Sequence, residues 1–361
     1  MAPSGTHRGS KHSASRLPNS SRIAKAASSE ASAIELRPPA PGATGEHERC
    51  RQLLQILTEN PQLATAIKEL RIVTALVDYA RRNLGGGRGW IADSARRTLP
   101  VILERLVALK QISIVQVGPY SPREPGLSWG DLPHLLRQQL TSIFASPSLE
   151  SAQLKGFTFS SPQQLMSLFT QAESLRSLSL SRGHFTNATD AGAWPLSQPW
   201  RPQLTSLTLS EVDGQGYCHV FLDQRVDLSR VVSLRIASKL DMFSLASILQ
   251  DIPLLPWSHL VSLRVLVLDL APGLVHLFNS LPVDTSLRQL AIEFPAGGFR
   301  VGGVYTVEGV NASLEAGLVR ARHLKAVEMI AFGEDSGEGR FPLWAEDMGW
   351  LLSPLERHGI L

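Results

Sequence analysis

The stretch Ser174-Leu175-Arg176-Ser177-Leu178-Ser179-Leu180 decides the fold of this chain. It contains a six-residue phrase with leucine in the first, fourth and sixth places, and this phrase returns along the sequence. The copies begin at Ile67, Leu109, Leu149, Leu175, Leu204, Val231, Leu263, Leu287 and Leu324. Such a phrase is the strand portion of a leucine-rich repeat, in which each unit packs on its neighbours. The sequence therefore predicts a solenoid.

The spacing of the copies is uneven, with the longest interval between Ile67 and Leu109 and the shortest between Leu263 and Leu287. Ordinary leucine-rich repeats keep a nearly constant period of about 20–29 residues. The extra length in this chain suits whole helices and loops inserted on the convex side. We therefore predict an irregular α/β solenoid of the ribonuclease-inhibitor-like type, with a parallel concave sheet.

The amino-terminal segment has a different composition from the rest of the chain. Residues 1–46 are rich in Ser, Ala and Pro, and their six basic and three acidic side chains account for the whole net charge of +3. A segment of this kind buries too little apolar surface to offset chain entropy. We predict a disordered basic tail over 1–46 and the solenoid over 47–361. A mitochondrial presequence is the alternative for the tail, although its prolines interrupt any amphipathic helix.

Charge, cysteine content and hydropathy limit the classes of function. Beyond the tail, basic and acidic residues are nearly equal in number, so we expect no general nucleic-acid binding, although a local basic patch stays compatible with this balance. The chain has two cysteines, Cys50 and Cys218, too few for a disulfide framework. It contains neither a secretory signal nor an apolar run long enough to span a membrane. We expect a cytoplasmic or nuclear protein.

The alternation of side chains along a strand predicts which residues face a partner. Because successive side chains point to opposite faces, the leucines of each phrase face the core and the residues between them face outward. The partner-binding candidates on this basis are Ser177, Ser179, Ser206, Thr208, Ser233, Arg235, Val267 and Gln289. The small polar side chains on the middle units would let a peptide backbone approach the sheet closely. The alternative is a face that is merely soluble.

One segment matches a catalytic pattern. Gly126-Leu127-Ser128-Trp129-Gly130 has the spacing of the nucleophile elbow of hydrolases. That motif needs a buried strand before the serine, whereas a proline-rich loop precedes Ser128. A capping box between Ser128 and Asp131 explains the residues better, so the hydrolase is the alternative. Because the histidines and cysteines lack metal-ligand spacing, we predict no metal, no cofactor and no enzymatic activity.

Several short segments follow one another in a characteristic order, namely Leu53-Leu54 through Asn60-Pro61, Ile67-Lys68-Glu69-Leu70-Arg71-Ile72, Leu99 through Leu106, Trp129-Gly130-Asp131-Leu132-Pro133, Pro147-Ser148-Leu149-Glu150 and Ser174 through Leu180. In this order they resemble a known family, the basidiomycete F-box proteins with irregular leucine-rich repeats. The resemblance covers roughly residues 47–361. It implies that the repeats select a protein substrate for a cullin–RING ubiquitin ligase.

The same resemblance implies an F-box, a three-helix module that docks the adaptor of the ligase. In this sequence the Ser/Ala/Pro-rich tail stands where that module is expected. Either the F-box has been lost or the true start of the chain lies elsewhere, and we do not expect this chain to bind the cullin adaptor. The sequence thus predicts a protein-binding repeat scaffold whose partner is unidentified. A degenerate repeat protein with no partner is a further alternative.

Overall fold

The computed structural model describes residues 33–37, 46–75, 98–117, 127–186, 199–210, 220–221, 226–237, 257–267, 270–283, 285–295, 306–332 and 353–360. Its main feature is a ten-stranded sheet in which every pair of neighbours is parallel. The strands are β1 (Ala33–Leu36), β2 (Glu69–Ala75), β3 (Gln111–Val117), β5 (Ser151–Lys155), β7 (Ser177–Ser181), β9 (Ser206–Ser210), β10 (Ser233–Ala237), β11 (Ser262–Leu266), β12 (Gln289–Pro295) and β13 (Ala326–Phe332). Their order in the sheet is their order in the chain.

Helices cover one face of this sheet. They are α1 (Glu46–Glu59), α2 (Gln62–Ala66), α3 (Thr98–Arg105), α4 (His134–Phe144), α5 (Pro162–Phe169), α6 (Leu270–Ser280) and α7 (Val307–Arg320). Their buried side chains belong to the same hydrophobic core as the leucines of the strands. Helix α5 begins as its sequence predicts, because the Ser161 hydroxyl accepts a hydrogen bond from Gln164 N at the first turn. The structure is thus an α/β solenoid of the leucine-rich-repeat type, as predicted.

The repeat phrase acts through side-chain alternation and lateral pairing. Strands β5, β7 and β9 each alternate half-buried and buried residues along their length. Leu178 pairs with Leu207 and Leu180 with Leu209, so leucines stack on leucines from unit to unit. A one-residue slip would turn this apolar ladder to solvent, which is why the register is well specified.

A backbone feature marks the second place of each phrase from the one at Ile67 to the one at Leu287. The carbonyl at that place accepts hydrogen bonds from two successive N–H groups of the next unit. Lys110 N and Gln111 N both donate to Lys68 O, at 2.7 and 2.9 Å. The same pair of bonds recurs through the described units as far as Lys325 and Ala326, which donate to Arg288 O. These bonds identify the frame of each phrase independently of its sequence.

This backbone feature corrects the frame predicted for one copy. Val261 N and Ser262 N both donate to Val232 O, so Val261 takes the second place and the phrase begins at Leu260 rather than at Leu263. Leu263 therefore pairs laterally with Leu234 and Leu290. Because three is an odd number, this shift exchanges the residues that face the core with those that face outward. Val267, predicted to face outward, is buried with 2% exposure.

A tenth strand lies in the segment that was predicted to be disordered. Strand β1 pairs in parallel with β2, placing Ile34 beside Leu70 and Leu36 beside Ile72. Leu36 is buried, so the strand belongs to the core. The prediction of disorder is therefore wrong for residues 33–37, and α1 begins at Glu46, one residue before the predicted boundary. The rest of the predicted tail lies outside the described residues.

A second, smaller sheet follows the carboxyl ends of three strands. It contains β4 (Leu127–Ser128), β6 (Phe157–Phe159) and β8 (His184–Phe185), again parallel. The chain turns from β5 into β6 at Gly156, whose φ of +81° suits glycine. A Cβ at this position would also lie 2.6 Å from Gln116 Cβ. Glycine at 156 thus lets the two sheets approach each other.

The helices are short, and a proline interrupts one helical segment. The apolar segment from Trp129 to Ala145 does not form one continuous helix, because Pro133 separates a short 3-10 turn (Trp129–Asp131) from α4. Among the residues that the structure describes, no helix is long and apolar enough to cross a bilayer. Cys50 lies buried in α1, and desolvation raises the pKa of its thiol.

Candidate functional site

The face of the main sheet opposite the helices, called here the outer face, carries the candidate site. Its side chains form rows because the strands are in register. The first row contains five consecutive serines, which are Ser151, Ser177, Ser206, Ser233 and Ser262. All five are half-buried, in contrast to the apolar residue that follows each of them, which is buried alanine after Ser151 and buried leucine after the other four. The row continues to Gln289 on β12.

Two strands in the middle of the sheet present only hydroxyl groups on the outer face. These residues, the hydroxyl patch, are Ser177, Ser179, Ser181, Ser206, Thr208 and Ser210. The Ser181 and Ser210 hydroxyl oxygens lie 2.8 Å apart and share a hydrogen bond. Short side chains over two neighbouring strands leave the backbone of the sheet close to its surface. The patch is a shallow uncharged floor.

Two arginines stand beside this floor. Arg235 on β10 and Arg264 on β11 are lateral neighbours in the row that also contains Ser179 and Thr208. They are called here the arginine pair. Like charges directly opposite each other on adjacent strands repel and destabilise a sheet. A shared acceptor relieves the repulsion, since Arg235 Nη2 donates to Glu293 Oε1 at 2.8 Å and Arg264 Nε donates to the same oxygen.

The exposure of these three side chains differs. The Glu293 side chain on β12 is 9% exposed, whereas those of Arg235 and Arg264 are 39% and 37% exposed. A buried carboxylate therefore anchors two cations that reach the surface. One negative charge between two positive charges leaves the cluster with a formal charge of +1. The arginine pair is the positively charged side of the candidate site.

Replacing Glu293 with glutamine is expected to lower the free energy of unfolding by about 1–3 kcal/mol, because two adjacent guanidinium groups lose their shared anion. The expected loss is smaller than for a fully buried ion pair, because both arginine side chains are partly exposed to water. Urea denaturation measures the change. Glu328→Gln, on the exposed side of β13, is the matched control and should lose much less. Equal losses in the two variants would contradict a stabilising role for the cluster.

The two ends of the outer face differ in charge. On β1, Glu35 accepts a hydrogen bond from Arg37 Nε at 2.6 Å and lies 3.9 Å from Arg71 Nε. The hydrogen bond from Arg37 holds the pKa of the Glu35 carboxyl below its ordinary value. At the other end, Glu328 occupies the middle row of β13 and is exposed. The carboxylate at the β1 end is thus neutralised by arginines, whereas the β13 end carries an exposed carboxylate.

Every predicted partner-binding residue except Val267 lies on the outer face, namely Ser177, Ser179, Ser206, Thr208, Ser233, Arg235 and Gln289. Val267 is excluded because it packs against α6, where a Cβ at Gly273 would lie 2.7 Å from Val267 Cβ. Sequence reasoning missed Arg264, because the frame that begins at Leu263 puts it in the second place of the phrase and not among the outward candidates. The phrase Leu260-Val261-Ser262-Leu263-Arg264-Val265 is the signal that would have found it.

Ser128, the candidate nucleophile of the alternative prediction, ends the two-residue strand β4. Its side chain makes no capping hydrogen bond, so the predicted capping box with Asp131 is wrong. The ladder Ser128, Thr158, His184 crosses the small sheet, and Thr158 Oγ1 lies 3.1 Å from His184 Nε2. Two strand spacings separate Ser128 from His184, about 10 Å. The hydroxyl beside the histidine on this ladder is therefore that of Thr158, and Ser128 lies one strand further away.

Among the described residues, no group of three or more His, Cys, Asp or Glu side chains is placed to hold a metal ion.

Comparison with known proteins gives a structural likeness. No protein-family model and no curated protein matches the chain. A solved structure, the leucine-rich repeat-containing protein LegL7 from Legionella pneumophila, is similar over 89% of this chain and 98% of its own, with 12% identity and a TM-score of 0.36. A score this low carries no weight for the fold. The assignment to the leucine-rich-repeat class therefore rests on the parallel sheet and its repeated phrase.

Proposed function

We propose that the protein is a non-enzymatic repeat scaffold that binds a protein partner through the outer face. The observation that carries the proposal is the contrast between the two faces of the main sheet. Helices pack over the leucine ladder, while the outward side chains of β5, β7 and β9 are only half-buried. Parallel sheets are normally covered on both faces. A partner would complete the cover on the outer side.

The size of the outer face supports this function. Ten strands at the usual lateral spacing span about 43 Å, and five residues of strand rise about 16 Å. The product, about 700 Å², is close to the roughly 800 Å² that one partner contributes to a typical stable protein–protein interface. The face is therefore large enough for specific binding without help from other surfaces.

Bulky substitutions on the hydroxyl patch test this function. The double variant Ser179→Tyr/Thr208→Tyr places two large side chains on the floor, and Thr141→Tyr/Ser167→Tyr places them on exposed positions of α4 and α5. Both variants and the unaltered chain are used as bait, and captured proteins are quantified by mass spectrometry. We expect the partner to be lost from the first variant and retained by the second. The opposite pattern would move the binding surface to the helices.

The family resemblance gives this scaffold a finer role, the selection of substrates for a ubiquitin ligase. The same purification tests that role, because a ligase subunit must recover the cullin adaptor. Recovery would contradict the expectation that this chain does not dock the adaptor. Recovery of other proteins alone would leave a binding scaffold outside the ligase. A chain that enriches no protein would instead favour a degenerate repeat.

The serine hydrolase alternative has its own test. A fluorophosphonate probe labels serines that a neighbouring base activates. We expect Ser128 to stay unlabelled in the folded protein, because the histidine on its ladder is two strands away. Labelling that disappears in Ser128→Ala would overturn the non-enzymatic assignment.

A further inference from the structure

We propose that the arginine pair, with Lys155 on the opposite side of the hydroxyl patch, binds a short acidic peptide segment of the partner. The segment would lie across the hydroxyl patch and present Asp or Glu carboxylates to these cations. This inference rests on the function proposed above, since it names the chemistry of the partner on the same face.

The arginine pair has donors left over for a second anion. Each guanidinium group carries five N–H donors. Arg235 uses Nη2 and Arg264 uses Nε on Glu293, and within the described part of the chain the Nη1 and Nη2 groups of Arg264 have no hydrogen-bond partner. That edge of a guanidinium group fits a carboxylate with two parallel hydrogen bonds. Glu293 thus positions Arg264 without saturating it.

Lys155 supplies a positive charge on the other side of the floor. It ends β5, in the same row as Ser181 and Ser210, and it is half-buried on the outer face. None of the described acidic side chains forms an ion pair with it. Strands β5 and β10 are three lateral spacings apart, about 14 Å. This distance leaves room for an extended peptide between Lys155 and the arginine pair.

The charge distribution favours a short acidic segment over a long polyanion. The formal charge of Lys155, Arg235, Arg264 and Glu293 together is +2, and the six residues of the hydroxyl patch between them are neutral. Beyond this central zone, the middle row is uncharged at Ser113 and Gln153 on one side and reaches the carboxylate of Glu328 on the other. A nucleic acid that ran along the sheet would leave the positive zone on both sides. A segment with two or three carboxylates meets only the positive zone.

Fluorescence anisotropy with defined probes tests the inference on the full chain. The probes are a labelled peptide of alternating Glu and Ser, the same peptide with Lys for Glu, and oligodeoxythymidine of equal length. We expect the Glu peptide alone to bind, with a Kd below about 1 mM at low salt, weakening as salt is added. Tighter binding of oligodeoxythymidine, or equal binding of the Lys peptide, would overturn the inference.

Variants then locate the binding. Arg264→Gln should weaken binding of the Glu peptide about tenfold, since a charge-assisted fork is lost. Arg264→Lys, which keeps the charge, should weaken it less, and Lys155→Gln should weaken it severalfold. Arg71→Gln removes a cation from the same row near β1 and should change the Kd less than twofold. Equal effects of Arg71→Gln and Arg264→Gln would overturn the inference, and thermal melting of each variant verifies that it folds.

The two proposals fail in different ways. If the captured partner is lost from Ser179→Tyr/Thr208→Tyr but binds Arg264→Gln and Lys155→Gln normally, the scaffold function stands and the acidic-segment inference is wrong. If the partner also binds the tyrosine variant normally, the outer face is not the binding surface and both are wrong. Loss of the partner from all of these variants, with binding retained by Arg71→Gln, is the result that supports both.

Discussion

Replacing Phe169 with alanine is expected to lower the free energy of unfolding by about 3–5 kcal/mol, the usual cost of emptying a fully buried aromatic site. Phe169 is 0% exposed at the end of α5. Its ring lies 5.3 Å from that of Phe144 in an edge-on contact and 5.9 Å from that of Trp200. The side chain therefore links three successive repeat units. Removing it leaves a cavity that rigid neighbouring rings cannot close.

Chemical denaturation followed by tryptophan fluorescence measures this loss. Phe169→Leu should lose less, because it retains much of the side-chain volume. Val319→Ala is the surface control, as Val319 is 74% exposed on α7, and it should change the free energy by less than about 0.5 kcal/mol. A loss in Phe169→Ala no larger than in this control would mean that the units do not pack through the aromatic cluster.

Replacing Val267 with aspartate is expected to lower the free energy of unfolding by about 4 kcal/mol, because an unpaired carboxylate would enter the core. Val267 is 2% exposed and packs against Gly273 at the start of α6. Ser262→Asp is the matched control, since Ser262 is half-buried on the outer face of the adjoining strand β11. Ser262→Asp should lower the free energy of unfolding by less than about 1 kcal/mol.

This pair of variants decides between the two frames of the phrase in this unit. With the frame that begins at Leu263, Val267 would face outward and its substitution by aspartate would be mild. With the frame that begins at Leu260, it faces the core. Urea denaturation curves for the two variants, measured together, give the difference directly. A smaller loss for Val267→Asp than for Ser262→Asp would restore the frame first predicted from the sequence.

The repeat architecture could be predicted from the sequence, while the frame at Leu263 could not. Leu260-Leu263-Val265 and Leu263-Leu266-Leu268 both satisfy the phrase, and the second is richer in leucine. Lateral pairing of Leu263 with Leu234 and Leu290 selects the first frame. These partners lie in other repeat units, so the local sequence does not reveal them. Strand β1 was missed for a related reason, because it is four residues long and its neighbours in the sequence are those of a polar tail.

The hydroxyl patch of the candidate site could be predicted from the sequence, whereas its charged cluster could not. Strict alternation along a strand is enough to place Ser177, Ser179, Ser206 and Thr208 outward. The cluster at Glu293 depends on three different strands, and its carboxylate reaches Arg235 across an intervening strand. Such lateral contacts follow from the register of the whole sheet. No local pattern in the sequence encodes them.

The strand order of the main sheet has a consequence for folding kinetics. Because every strand pairs with the strands before and after it in the order of the chain, no pairing requires a loop longer than one unit to close. The entropy lost on closing a loop grows with its length, so no step of assembly is much costlier than another. Folding can then start at any well-packed pair of units and spread in both directions. The rate should depend on the best local pair rather than on the total length of the solenoid.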